Sequence, residues 1–172
     1  MNHILENIVT RRSVRSFINK PISRENLDQI ITAAIYAPSG MNRQSWHFTI
    51  IQNREKIQQL HEVMGKNLGN TNYNLYNAEV MILVSNERDN RNSMADCACA
   101  LQNIFLMSHE LGIGSVWINQ LRDLNNTPEV REVLDSFQVP KHHDVYGMAA
   151  LGYTEVWPEA KPRKENTYHY VD

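Results

Sequence analysis

Two side-chain amides in one short turn are the residues of this chain best suited to recognise a ligand. Asn42 and Gln44 lie in a segment of small residues between a predicted helix end, 33–37, and a predicted strand, 46–51. A carboxamide carries both a hydrogen-bond donor and an acceptor. A pair of them can therefore read the edge of a planar ring that needs both.

A group of basic residues upstream offers a second kind of contact. Arg11, Arg12 and Arg15 surround Ser13. Arginine presents a fork of donors that suits a phosphate monoester, and the serine hydroxyl adds a neutral donor. Together with the amide pair, this group indicates a ligand with a phosphate at one end and a heteroaromatic ring at the other.

Each motif also has a simpler explanation that the sequence leaves open. Cations such as Arg11 can stabilise the last carbonyls of a helix, and an asparagine such as Asn42 often bonds its own backbone in a turn. The basic tail segment, 161–164, can likewise be an ordinary solvated stretch. None of these three segments identifies a function by itself.

Other catalytic signatures are missing from the sequence. Gly112 and Gly114 form a lone G-x-G that ends a helix pattern. A dinucleotide-binding motif needs a third glycine and opens a helix, so this pair does not match it. The chain has no G-x-x-x-x-G-K-[ST] loop, no H-E-x-x-H pair and no nucleophile elbow. The adjacent His142 and His143 are predicted to lie in a surface loop, and no metal site is predicted.

Composition narrows the class of protein. The chain has 172 residues, of which 42% are hydrophobic and 21% charged, with a net charge of -2. These values predict one domain over 1–172, with no partner nucleic acid and no attachment to a membrane. Cys97 and Cys99 are predicted to be small core residues and not a disulfide. With no secretory signal in the first residues, we expect a cytoplasmic protein.

Apolar periodicity predicts alternating helices and strands. Helices are predicted at 4–9, 23–37, 55–64 and 93–112, and from Pro128 onward. Strands are predicted at 46–51, 78–85, 115–119 and 145–153. The polar segment 65–77 is predicted to be a loop or weak helix that covers a site. This order indicates an α+β protein, or a sheet between two helical layers.

Four segments, in this order, resemble the nitroreductase family of FMN-dependent oxidoreductases. They are 11–17, 37–48, 96–119, and 151–153 with 161–164. The resemblance covers nearly the whole chain. It implies an α+β, three-layer α/β/α fold with a mixed, mainly antiparallel sheet, in an intertwined homodimer that binds FMN between its subunits.

The resemblance also implies a set of cofactor contacts. They are Arg11, Arg12, Ser13, Arg15, Pro38, Ser39, Gly40, Asn42, Gln44, Trp117, Ile118, Asn119, Lys161 and Arg163. By analogy, the first three residues and the two tail cations approach the ribityl phosphate, and Arg15 approaches the pyrimidine side of the ring. The amides contact the ring, 38–40 come from the partner subunit, and the backbone of 117–119 passes the flavin's face.

The activity implied is electron transfer from NADH or NADPH, through flavin N5, to a small acceptor such as a nitroaromatic or quinone, in a ping-pong scheme. The flavin carries this chemistry, so no catalytic side chain is predicted. Tyr73 and Tyr76 are candidate substrate contacts, although core or surface packing explains them equally well. The family often has proline where this chain has Ser45, which predicts a looser turn.

Two other functions remain open at this stage. The first is a flavin-binding storage or redox-sensing module without significant turnover. The second is an interaction domain that binds no cofactor.

Overall fold

The computed structural model describes residues 1–70 and 72–172. Its helices are α1 (His3–Thr10), α2 (Arg24–Ile35), α3 (Arg54–Asn67), α4 (Ser93–Glu110) and α5 (Pro128–Ser136). Its strands are β1 (His47–Ile51), β2 (Val80–Glu87), β3 (Gly114–Ile118) and β4 (His143–Gly152). Short 3-10 turns cover Gly40–Asn42 and Gln120–Leu124.

The strands form one sheet in the order β1-β2-β4-β3, and all three strand pairings are antiparallel. β2 lies in the interior of the sheet and is buried on both faces, as its continuous apolar run predicted. A register shift between Val84 and Ser85 marks a β-bulge opposite β4. The predicted α+β class is therefore confirmed.

Helices cover both faces of this sheet, which makes three layers. On one face, α3 and α5 pack on Leu83, Met148 and Val116. On the other face, α2 and α4 pack on Ile82, Ala149 and their neighbours. Alternate residues of each strand pack in the two cores, because successive side chains on a strand point to opposite faces of the sheet.

Helix boundaries follow the capping signals in the sequence. The Ser23 hydroxyl accepts a hydrogen bond from the Asn26 backbone, and Pro128 occupies the first turn of α5. α3 runs three residues past the predicted end at Met64. The Leu68 N–H then donates to the carbonyls of Met64 and Lys66 and caps the helix. Thr71, within the predicted loop 65–77, lies outside the described residues.

The segment after α1 docks along the edge strand β3. Ser13 forms a parallel bridge with Ser115, and the Val14 N–H donates to the Ser115 carbonyl at 2.9 Å. The contact requires glycine at position 114, because a Cβ there would lie 2.9 Å from the Val14 Cβ. This docking fixes where the arginines that flank Ser13 emerge.

Some apolar surface stays outside the core of the single chain. α1 has no buried residue, and Ile4 and Ile8 are 70% and 46% exposed. α4 is buried on one side only. Cys97 is buried as predicted, but the prediction was wrong for Cys99, which is exposed. Positions i and i+2 lie about 200° apart on a helix, so one core cannot contain both.

The histidine pair also differs from its prediction. His142 is exposed, but His143 is the first residue of β4 and is buried, with its Nδ1 3.2 Å from the Ser85 hydroxyl. His142 lies in the turn before β4, whereas His143 pairs with Glu87 in the sheet. Burial, followed by the positive charges that His142 and His47 can carry, lowers the pKa of His143 to about 4.

This shift predicts a loss of stability in acid. The unfolded chain binds a proton at His143 near pH 6.5, but the folded chain does so only near pH 4. The free energy of unfolding should therefore fall as the pH drops through this window, by on the order of 1–2 kcal/mol. Urea titrations of His143→Gln should show a smaller fall than the parent chain. His169→Gln, in the exposed tail, is the control. Equal slopes of unfolding free energy against pH in all three proteins would contradict the assignment.

Candidate functional site

Three arginines from the two ends of the chain come together at one place. We call Arg11, Arg12 and Arg163 the arginine cluster. Arg11 is the residue that caps the end of α1, and Arg163 lies in the extended tail after β4. Burial lowers the pKa of Arg11, and the charges of Arg163 and then Arg12 lower it further. Within one chain, Arg163 and Arg12 therefore lie near enough to Arg11 to affect its charge.

The arginine cluster carries positive charge that no acidic side chain offsets. Within 1–70 and 72–172, none of its members forms an ion pair. Arg12 is instead held by its own backbone, since its Nη1 donates to the Val9 and Arg11 carbonyls at 2.8 Å. Gathering like charges raises the electrostatic free energy unless an anion joins them. The cluster therefore presents a positively charged surface that would favour a bound anion.

An aromatic pair links the arginine cluster to the sheet. The Arg11 guanidinium carbon lies 5.9 Å from the centre of the Phe105 ring. That ring lies 6.0 Å from the ring of Trp117, on β3. Trp117 stands two residues beyond Ser115, the partner of Ser13, so both lie on one face of the strand.

The other predicted contacts of this region are less constrained. Arg15 is exposed and reaches only the Ser13 carbonyl, at 3.5 Å. Ile118 is buried in the core, Asn119 is exposed just past β3, and Lys161 is exposed in the tail beside Arg163. Of these four residues, Ile118 alone is buried in this chain.

The turn with the two amides has an unusual backbone. Met41, Asn42 and Gln44 have φ of 55°, 53° and 50°, in the left-handed region that residues other than glycine seldom adopt. The Gln44 Nε2 donates to the Asn42 Oδ1 at 2.8 Å. That bond leaves the Asn42 Nδ2 as a donor and the Gln44 Oε1 as an acceptor, side by side on an exposed surface.

Contacts with the buried interior hold this turn in place. The Gly40 N–H donates to the Asp96 Oδ1 at 2.9 Å, and Asp96 is only 4% exposed. Ser45 donates to the Asn86 Oδ1 at 2.8 Å and accepts from the Asn90 Nδ2 at 3.1 Å. The serine that replaces the family's usual proline therefore fixes the turn through hydrogen bonds.

The turn and the arginine cluster lie at opposite ends of α4. Asp96, beneath the turn, is in the first turn of that helix, and Phe105 is nine residues further on. At a rise of 1.5 Å per residue, Asp96 and Phe105 are about 14 Å apart along the helix axis. Pro38, Ser39 and Gly40 lie with Asp96, at the end remote from the arginines.

The predicted substrate tyrosines lie on the opposite face of the sheet. Tyr73 and Tyr76 pack against the core that includes α3, whereas Phe105 belongs to the core under α4. Tyr73 also lines a surface cavity of about 600 Å³ with His61 and Lys66. Burial, then Tyr76, raises the pKa of Tyr73 to about 12. Within one chain, the sheet separates these rings from the arginine cluster.

Sequence reasoning missed two residues that border the arginine cluster. The His109 ring stacks edge-on against Trp157 at 5.2 Å, and its Nε2 lies 2.9 Å from the Thr10 hydroxyl. Burial, and then the charges of Arg11 and Arg12, lower the pKa of His109. An isolated histidine in an apolar helix was the only signal for it, and a lone tryptophan in a polar tail was the signal for Trp157.

The described residues also limit the class of site. The described residues contain no group of three His, Cys, Asp or Glu side chains able to hold a metal ion. No helix in that part of the chain combines the length and apolar character needed to cross a bilayer.

The fold and the candidate site together define an α+β protein with a group of arginines near a sheet edge and an amide-bearing turn. The chain matches the family model described as Nitroreductase family over residues 8–72 and 66–153. It therefore belongs to the nitroreductase family.

Individual relatives agree with this membership. The fold matches a crystal structure of a nitroreductase with bound FMN from Bacteroides fragilis, with 38% identity, a TM-score of 0.95 and full coverage of both chains. A nitroreductase with bound FMN from Desulfitobacterium hafniense is 25% identical, with a TM-score of 0.89 and full coverage of both chains. A Bacillus subtilis protein named FMN reductase (NADPH) is 26% identical, over 98% of this chain and 74% of its own length.

The anchoring of the turn gives a testable prediction. Asp96→Ala leaves the Gly40 N–H without its acceptor, so the free energy of unfolding should fall by about 1–3 kcal/mol. The Gly40 amide should also exchange its hydrogen faster, as measured by NMR. Asp123→Ala, which removes an exposed carboxylate, is the control. If the Gly40 amide stays equally protected in Asp96→Ala, Asp96 does not anchor the turn.

Proposed function

We propose that the protein is an FMN-dependent oxidoreductase that uses NADH or NADPH and passes electrons to a small acceptor, such as a nitroaromatic or a quinone. The arginine cluster is the observation that carries the proposal. Its three cations meet without a carboxylate among the described residues, which suits the dianionic phosphate of FMN. Names of relatives that include FMN and NADPH support the same choice.

The residues fit the phosphate end of FMN. Arg11 is half-buried, so its hydrogen bonds to an anion are less screened than those of an exposed cation. Arg12 is already oriented by its backbone contacts, which lowers the entropy lost on binding. Ser13 can add a neutral donor, and Lys161 a further positive charge, to the same phosphate.

The residues also fit the ring end. The pyrimidine edge of the flavin offers an N–H donor between carbonyl acceptors. Asn42 Nδ2 and Gln44 Oε1 present the complementary donor and acceptor. Arg15, exposed and weakly held, can place its charge beside the ring, where it would favour the reduced, anionic flavin.

When bound, FMN would take a hydride from NAD(P)H and pass electrons on to the second substrate. The side chains of this protein then need only bind, orient and supply charge. Trp117 lies over Gly147, whose missing Cβ would stand 2.9 Å from the indole Nε1. Trp117, Ile118 and Asn119 can thereby form a wall of the ring pocket.

The proposal includes a homodimer. A single chain separates its arginine cluster from its amide turn by about 14 Å along α4, so a second copy is the simplest source of the missing side of each site. The exposed apolar face of α1 offers surface for that contact. Pro38, Ser39 and Gly40 would come from the partner subunit. Tyr73 and Tyr76 remain predicted substrate contacts, and they too depend on the assembly.

Anaerobic mixing tests the activity. Protein loaded with FMN should lose its yellow colour within seconds when NADPH or NADH is added, and a quinone or nitroaromatic should restore it. Dithionite is the control, because it reduces any accessible flavin. Colour that dithionite bleaches but both nicotinamides leave unchanged would make the protein a flavin-binding module. A colourless protein that fails to take up FMN would exclude both functions.

Substitution tests the phosphate site. Arg11→Ala and Arg163→Ala should each weaken FMN binding by about 1.5–3 kcal/mol, the scale of a hydrogen bond to a charged group. That loss corresponds to roughly a 10- to 150-fold higher dissociation constant in fluorescence titrations.

Arg24→Ala is the matched control, because Arg24 pairs with Asp28 on an exposed helix face. Sedimentation of each variant checks that its assembly is unchanged. Dissociation constants equal to those of the parent in both cluster variants would refute the phosphate assignment.

A further inference from the structure

His109 stands between the two chain ends that supply the arginine cluster. Its Nε2 contacts the hydroxyl of Thr10, the residue immediately before Arg11, at 2.9 Å. Its ring packs edge-on against Trp157 at a centroid distance of 5.2 Å. Trp157 precedes Arg163 by six residues in the tail. One side chain thus contacts both segments that bring arginines to the site.

The hydrogen bonding of His109 has a defined direction. The Thr10 hydroxyl has one proton, which it donates to the Glu6 carbonyl at 2.7 Å. The His109 Nε2 must then carry a proton and donate to the Thr10 oxygen. Its Nδ1 is buried, with no hydrogen-bond partner in the described part of the chain. The ring is therefore held from one edge by α1 and from its side by the tail.

The charges around His109 favour its neutral form. Arg11 and Arg12, at the end of α1, lower its pKa, and burial lowers it more. Glu110, its neighbour on α4, acts in the opposite direction but more weakly. A neutral imidazole adds no further repulsion to the arginine cluster. It can therefore serve as a structural contact beside three cations.

The tail has few other means of staying in place. Residues 155–172 are exposed and form no helix or strand. Trp157 is 37% exposed, whereas Val156, Tyr168, Tyr170 and Val171 are all above 70%. The Trp157–His109 contact is thus the best-covered apolar contact of the tail. Restricting the tail there raises the effective concentration of Arg163 near Arg11.

We propose that His109 is a positioning residue for phosphate recognition, which joins the end of α1 to the tail and so holds Arg163 against Arg11. The proposal rests on the proposed function, because the phosphate is that of FMN. His109 does not touch the phosphate in this scheme. Its effect passes through the two segments that it connects.

Paired titrations with FMN and riboflavin test the proposal. The two ligands share the flavin ring and differ by the phosphate. His109→Ala should raise the dissociation constant of FMN about tenfold and leave that of riboflavin within about twofold. Trp157→Ala should do the same. Because both variants release one contact, the double variant should lose no more than either single one.

A histidine remote from the cluster is the matched control. His142 is exposed beside β4, and His142→Ala should leave both dissociation constants unchanged. A purely structural role for His109 predicts a different result, namely equal weakening of FMN and riboflavin. That result, or no change for either ligand, would overturn the inference. A parent protein that fails to prefer FMN over riboflavin would instead refute the phosphate site itself.

Discussion

Repulsion between guanidinium groups is the constraint on which this structure depends. Arg11, Arg12 and Arg163 come from opposite ends of the chain, and the charges of Arg163 and Arg12 disfavour that of Arg11. Such a group persists only where the backbone holds it and where an anion can compensate for it. The holding contacts are the docking of Val14 on Ser115 and the backbone bonds of Arg12. In the proposed function, the phosphate of FMN supplies the compensation.

The layered fold separates two recognition tasks along one helix. α4 meets the amide turn near its start, through Asp96, and the arginine cluster near its end, through Phe105. A rigid helix keeps the distance between them constant. The two groups must also reach the surface. The left-handed turn exposes the amides, and the exposed tail carries Arg163. A ligand with a charged end and a flat polar end matches that division.

The sequence predicted the elements well, and the site only in part. Periodicity and capping signals such as Ser23 are local, so the helices and strands lie close to the structure's bounds. The arginines were identified by their chemistry. By contrast, the contacts of Ser45 with Asn86, and of His109 with Trp157, join residues more than 40 positions apart. No local pattern encodes them, and the exposure of Cys99 depends likewise on which side of α4 faces the core.

The prediction that no side chain acts as a catalytic acid or base follows from the same division of labour. Where a bound flavin carries the chemistry, the protein contributes position, charge and exclusion of water. Affinity then depends on the fixed arginine cluster, whereas acceptor choice depends on what covers the ring. In the proposed site, the indole of Trp117 packs on Gly147 and forms one wall of the ring pocket. In that arrangement, acceptor specificity should reside mainly in the residues that a second copy brings to the opposite wall.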